Sequence, residues 1–200
     1  MNTFLHVGCG PNRKESTTPE FAGAGWQELR LDIDPDCQPD FVGSMTDMSA
    51  VADASVDAIY SAHSIEHLYA HEIPTALAEF VRVLKPEGYV VITCPDLQSV
   101  AALVAAGKLT DTIYDSPAGP VTPFDMLYGH RLQLAAGKTY MAHRSGFTMK
   151  ALQDTLGAHG FPLVAARQRG EPDFDLWAVA SKSARPQEEL IALAQRHFPA

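Results

Sequence analysis

Short apolar runs that stop at turn residues alternate, along the first half of the chain, with stretches whose apolar positions recur every three or four residues. Residues 4–8 (FLHVG) read as a strand ending in glycine, and 28–33 (ELRLDI) as a second strand closed by acidic residues. Residues 40–43 give a short third strand and 56–61 a fourth. Residues 89–93 (YVVIT) are nearly all apolar, as a central strand covered on both faces must be. Between the fourth and fifth runs, Ala76, Leu77, Phe80, Val81 and Leu84 repeat at helical spacing over 74–84. Lys85-Pro86-Glu87-Gly88 is expected to end that helix in a turn. Alternation of this kind predicts an α/β fold with a parallel sheet and right-handed crossovers.

The second half is patterned differently. After a helix expected over 98–106 comes a stretch rich in Pro, Gly and Tyr that is too long for a plain connector. Residues 96–146 are therefore read as an insertion covering a substrate site. A helix over 148–158 has Phe147, Leu152 and Leu156 on its apolar side and Thr148 as its cap. Residues 161–166 and 175–180 read as two closing strands, and 187–196 as a final, peripheral helix. The whole chain, 1–200, is expected to be one domain.

Composition narrows the function. The 200 residues carry a net charge of −9, which disfavours nonspecific nucleic-acid or anionic-membrane binding. No apolar run approaches membrane-spanning length, and MNTFLHVGCG lacks the basic start of a signal peptide. The three cysteines are far apart and form no C-x-x-C. Together these features predict a reduced, cytoplasmic protein with neither a disulfide framework nor a cysteine zinc site.

Gly8-Cys9-Gly10 follows the first strand directly. Glycine there lets the backbone turn sharply and a ligand approach closely, although the third glycine of G-x-G-x-x-G is missing. Asp32 follows Gly8 by just over twenty residues, where a carboxylate accepts hydrogen bonds from ribose hydroxyls. The V-G-C-G turn, the L-D-I-D strand end (residues 31–34), D-A-I-Y-S (57–61) leading into I-E-H-L, and R-V-L-K-P-E-G-Y-V-V-I-T (82–93) stand in one order and spacing. In these motifs the chain resembles the class I S-adenosylmethionine-dependent methyltransferases. The likeness is strongest over residues 4–93, weaker over 147–180, and closest to small bacterial members that carry H-R-x-G-F-T (here 143–148).

The resemblance implies a Rossmann-like methyltransferase fold. Its sheet would be mostly parallel and seven-stranded, with an antiparallel last strand and the insertion after strand 5. It implies S-adenosylmethionine as cofactor, with Gly8, Cys9 and Gly10 against its methionine part, Asp32 on the ribose and Ile33 beside the adenine. The acidic residue usual after the third strand is absent. Ser44 and Met45 occupy that place, and Asp47 follows slightly later. The long helix usual after the glycine turn is degraded to a turn or two from Thr18, and Arg13 and Lys14 are candidates to pair with the cofactor carboxylate.

The remaining motif, AHSIEHL (62–68), spells H-x-x-E-H, the signature of inverted zinc proteases. Read as a helix, it puts His63, Glu66, His67 and His71 on one broad face. Its place after the fourth strand argues against a protease. Ubiquinone and small-RNA 2′-O-methyltransferases resemble the chain at this point, with E-x-x-E-H holding a divalent metal. Here His63 replaces their first glutamate, with His130 and His143 as candidate further ligands, and a metal is weighed but not expected. His63, at the carboxyl end of the fourth strand, is expected to touch both cofactor and substrate.

His63, His130 and His143 are the candidate catalytic bases, and Tyr128, Tyr140 and Arg144 the candidate substrate-orienting residues. Without an N-P-P-Y-type segment, an oxygen or carbon acceptor on a small or medium-sized molecule is favoured over an amine. A non-catalytic cofactor-binding protein and, behind it, a nicotinamide-dependent oxidoreductase are the alternatives. The sequence does not address oligomeric state.

Overall fold

The computed structural model describes residues 1–116 and 118–199. A seven-stranded sheet is built from β1 (Asn2–Val7), β2 (Trp26–Asp32), β3 (Phe41–Val42), β4 (Val56–Ala62), β5 (Leu84–Pro95), β8 (Leu163–Gln168) and β9 (Asp175–Ser181). A small separate hairpin pairs β6 (Tyr114–Ser116) with β7 (Gly119–Val121). The sheet order is β3-β2-β1-β4-β5-β9-β8, and β9 alone runs antiparallel to its neighbours. This is the expected mostly parallel α/β sheet. Strand order reverses between β1 and β4, the place where open α/β sheets open a crevice beyond their carboxyl ends. Val7 lies opposite Ser61 there, so the glycine turn and the histidine motif leave the sheet side by side.

Helix α2 (Ile73–Val83) covers one face, burying Ala76, Leu77, Phe80 and Val83 at helical spacing. Helix α6 (Met149–Ala158) joins it through Leu152 and Leu156, and Thr148 caps it by accepting from Ala151 N. The opposite face is closed by α1 (Pro19–Ala22), a single turn capped by Thr18, and by α7 (Gln187–His197). The expectation that the last helix is peripheral is therefore wrong. Leu190, Leu193 and Ala194 are buried against Phe21, Tyr89 and Val179. His197 is fully buried, its ring hydrogen-bonded to Thr18 Oγ1 (2.9 Å) and Tyr89 Oη (3.0 Å). The reason is volume. The segment after the glycine turn forms only one turn of helix, and the chain's last helix fills the face left bare.

Two further expectations shift. The turn at residues 85–88 does not separate α2 from a later strand but forms a bulge within β5. Pairing skips from Val56↔Leu84 to Ala58↔Tyr89, and Lys85 Nζ is tied to Asp57 (2.8 Å). Residues 62–68 are not a helix. His63 is left-handed (φ 47°), Ile65–His67 form one 3-10 turn, and Leu68 is extended. His71 is consequently off the shared face, exposed and stacked on Tyr69.

Residues 97–145 lie above the carboxyl ends of the strands. They comprise α3 (Leu97–Ala105), the hairpin, α4 (Pro123–Tyr128) and α5 (Arg131–Ala135). Thr122 and Asp125 cap α4 reciprocally, and Arg131 clamps Asp125 from the start of α5 (2.7 Å).

Candidate functional site

A cavity of about 670 Å³ opens at the switch point. Gly8, Cys9, Gly10, Asp32, Ile33, Ser44, Met45 and His63 all line it, and His130, Lys138, Tyr140 and Arg144 line it from the segment above. His143, Tyr128, Asp47, Arg13 and Lys14 do not. Lys14 is turned back to Gly23 O and Trp26 O (3.3 and 3.2 Å), so it is not a partner for a cofactor carboxylate. Tyr128 is more than half exposed, and Asp47 caps Ser49 N at the surface.

The glycine turn is built for close approach. Gly8 (φ 67°) and Gly10 (φ 50°) are left-handed, and a Cβ on Gly8 would run into Ser64. Asp32 finishes the loop from β2. One carboxylate oxygen accepts from Gly10 N (2.7 Å), the other from Asp34 N (2.8 Å). Beneath them Arg30, almost fully buried, donates to Gly10 O, Asn12 O, Cys37 O and Gln38 O, tying the glycine turn to the loop after β2. Sequence reasoning missed Arg30. The available signal was a cation flanked by two carboxylates, Glu28 and Asp32, at the alternate positions of ELRLDI. Cys9 offers only its backbone: its thiol is buried, and burial pushes its pKa up to about 12, which excludes it as a nucleophile.

Ile33 presents a half-exposed apolar side chain to the cavity, a surface suited to an aromatic base. Ser44 Oγ is engaged with Thr46 (2.8 Å), which turns the backbone of residues 44–46 along the cavity wall. Asp34 was also missed as a functional residue. Its carboxylate accepts from Tyr140 Oη (2.7 Å) and Lys138 Nζ (3.1 Å), strapping the segment above the cavity to the loop below. Those hydrogen bonds, Tyr140's first, hold its pKa below the ordinary carboxylate value.

His63 closes the other wall. Its backbone N donates to Thr93 O (2.9 Å), holding the strained residue on β5. About half of its ring surface is accessible, with Nδ1 3.7 Å from Glu66 and Nε2 3.9 Å from Asp175. Crowding at the strand end disfavours charge on the ring, but the Glu66 and Asp175 carboxylates outweigh it and raise its pKa. His130 sits between α4 and α5 with both ring nitrogens buried and, among the described residues, without a hydrogen-bond partner. His143 points away from the cavity: its Nδ1 meets Met126 O (2.8 Å) and its ring faces His67, with centroids 5.0 Å apart. That placement corrects its assignment as a base facing the acceptor. Glu66, His67 and His143 instead bring one donor atom each within 4.8 Å of one another.

A doubly wound sheet with a glycine turn, a strand-end aspartate and a crevice at the switch point defines a nucleotide-cofactor-binding α/β protein. A family model for the methyltransferase domain matches residues 5–92. Among solved structures, the chain is similar to the 1,6-didemethyltoxoflavin-N1-methyltransferase of Burkholderia thailandensis. That structure holds its acceptor and S-adenosylhomocysteine; identity is 17% and TM-score 0.57 over 91% of this chain and 71% of that one. It is also similar to an S-adenosylmethionine-dependent methyltransferase from Archaeoglobus fulgidus (16%, TM-score 0.59, 90% and 86%). A third similar structure is a methyltransferase of the same dependence from Methanosarcina mazei (16%, TM-score 0.58, 90% and 92%). No curated protein matches the chain. The matched methyltransferase-domain model and the shared fold together support a class I S-adenosylmethionine-dependent methyltransferase family. The match to the methyltransferase-domain model indicates an enzyme of that kind. No helix of the described residues is long and apolar enough to cross a membrane.

Proposed function

We propose that this methyltransferase acts at an oxygen or carbon atom of a small or medium-sized acceptor, held between His63 and the covering segment 96–146. S-adenosylmethionine supplies the electrophilic methyl group; the chain's own residues position both partners and take up a proton. Gly8, Gly10 and the backbone of Cys9 would take the methionine part. Asp32 would hold the ribose, and Ile33, Ser44 and Met45 would frame the adenine. The observation that carries the reading is the left-handed, half-accessible His63. It stands on the cavity wall beside the glycine turn with two carboxylates beside its ring. A ring so placed accepts the proton of a hydroxyl or acidic carbon as the methyl group transfers. Tyr140 and Lys138 keep the segment above closed on Asp34, which would exclude water from the acceptor. Protein surface of net negative charge supports a small acceptor over nucleic acid.

The test is a methyl-label screen of phenols, carboxylic acids, acidic carbon compounds and amines, run with wild type and His63→Asn. Asparagine tolerates the left-handed backbone and removes the base. Labelled oxygen or carbon products are expected, with His63→Asn lowering kcat by about 100-fold or more while S-adenosylhomocysteine still binds. Label on amines alone, or an unchanged kcat in His63→Asn, would overturn the proposal.

A further inference from the structure

Glu66 is the least explained residue in the molecule. Its backbone carbonyl accepts from both Arg144 N (2.8 Å) and Ser145 N (3.1 Å), pinning the end of the covering segment to the histidine turn. Its side chain has no such contact. Residue 66 is 1% exposed, and neither carboxylate oxygen has a hydrogen-bond partner among the described residues. A carboxylate withdrawn from water costs several kcal/mol unless something compensates it. A protonated histidine would do so by donating an N–H at about 2.7–2.9 Å, yet the nearest, His63, stands at 3.7 Å.

The two histidines beside Glu66 have their outer nitrogens fixed by the backbone. His67 Nδ1 lies 3.2 Å from Ala142 O, and His143 Nδ1 lies 2.8 Å from Met126 O. A carbonyl only accepts, so each Nδ1 carries the hydrogen and each neutral ring keeps its lone pair on Nε2. Backbone carbonyls that fix a histidine tautomer in this way are the supporting contacts of metal ligands. One donor atom of Glu66, His67 and His143 each falls within 4.8 Å of the others.

We propose that Glu66, His67 and His143 form a binding site for a divalent transition-metal ion of the zinc class. Two imidazole nitrogens and one carboxylate suit such an ion, whereas Mg²⁺ and Ca²⁺ demand shells of oxygen. This donor set departs from what the motif spacing alone suggests. His63 and His71 lie outside it, and the third donor comes from residue 143, carried in by the covering segment. Three protein ligands leave a coordination position open. Of the three ligands, His67 also lines the cavity, so the site adjoins the acceptor's side. On the methyl-transfer reading, an ion there selects acceptors with an oxygen able to coordinate it. The ion's presence does not depend on that reading.

The test uses untagged full-length protein stripped with a chelator. Titration with Co²⁺ is expected to give about one equivalent bound, with the visible absorption of a four- or five-coordinate ion, bleached by Zn²⁺. Glu66→Gln and His143→Gln, shown to be folded by circular dichroism, should weaken Co²⁺ binding by more than about 100-fold, beyond the range of outer-contact changes. X-ray absorption of the zinc-loaded wild type should count the two imidazoles and decides the question if a variant does not fold. Absence of stoichiometric Co²⁺ binding, or equal binding by both folded variants, would overturn the site. S-adenosylhomocysteine binding to the stripped protein is read separately; its loss counts against the cofactor assignments and leaves the metal result standing.

Discussion

Asp32 and Glu66 are both buried carboxylates at the carboxyl ends of strands, one the last residue of β2 and one in the turn after β4. Their surroundings are opposites. Asp32 has each oxygen satisfied by a backbone N–H, and Arg30 ties down the two loops around it. Glu66 has no partner for either oxygen among the described residues. A satisfied carboxylate is part of the scaffold and keeps a cofactor loop in its binding shape before the ligand arrives. An orphaned one is stable only if burial is offset elsewhere, which the proposed cation between three converging donors would do. The glycine side of the cavity thus satisfies its carboxylate with the protein's own N–H groups, and the histidine side, among the described residues, does not.

Breaking the satisfied side should have the largest effect. Asp32→Ala removes the hydrogen bonds from Gly10 N in the glycine loop and from Asp34 N in the loop after β2. It should weaken S-adenosylhomocysteine binding by about 100-fold, measured by calorimetry. Wild-type affinity in that variant would mean the loop holds its shape without Asp32.

The next effect lies on the far face, where α7 depends on a neutral His197. Burial, with Arg196 adding to it, depresses its pKa from 6.5 to about 4. The unfolded chain takes up that proton first. Stability should be complete above about pH 6.5 and fall as pH drops toward 4, by about 3 kcal/mol in all. Denaturant unfolding of His197→Phe should show a flatter pH dependence over that window. A parallel profile would place the titration elsewhere.

Gly8→Ala tests the seam between the two sides, since its Cβ would collide with Ser64 at the start of the histidine turn. About 1–3 kcal/mol of stability should be lost. Ser64→Gly in the same chain should restore part of it, leaving the cost of the left-handed backbone.

Glu66→Gln should act in the reverse direction to Asp32→Ala. In chelator it removes a buried charge that has no hydrogen-bond partner among the described residues, and it should raise Tm by about 2–8 °C. A fall in Tm would mean that protein groups satisfy Glu66 after all. The smallest effect is expected at the strap. Tyr140→Phe loses the hydrogen bond to Asp34 and should weaken S-adenosylhomocysteine about 2- to 5-fold with little change in Tm.

Much of this was legible in the sequence. The strand of residues 89–93, the helix over 74–84, the glycine turn and Asp32 all follow from apolar period and turn chemistry, because their structure is set by neighbours a few residues away. The helix expected at 62–68 failed for a reason that is not local. The H-x-x-E-H spacing does suit a helix, but His63 is held on Thr93 O of β5 and Arg144 and Ser145 grip Glu66 O, which fixes a 3-10 turn instead. Arg30 was overlooked because its four acceptors come from residues 10, 12, 37 and 38, and only folding assembles them.

The sequence by itself determined the α/β class and the order of the glycine turn and the acidic strand end, since hydrophobic period and glycine placement are properties of contiguous residues. Only the tertiary structure decided which histidines face what. His63 and His130 reach the cavity, His143 turns to Glu66, His71 points to solvent, and His197 is locked beneath the sheet. An imidazole's role depends on the partners at its two nitrogens, and those partners are brought from elsewhere in the chain when it folds.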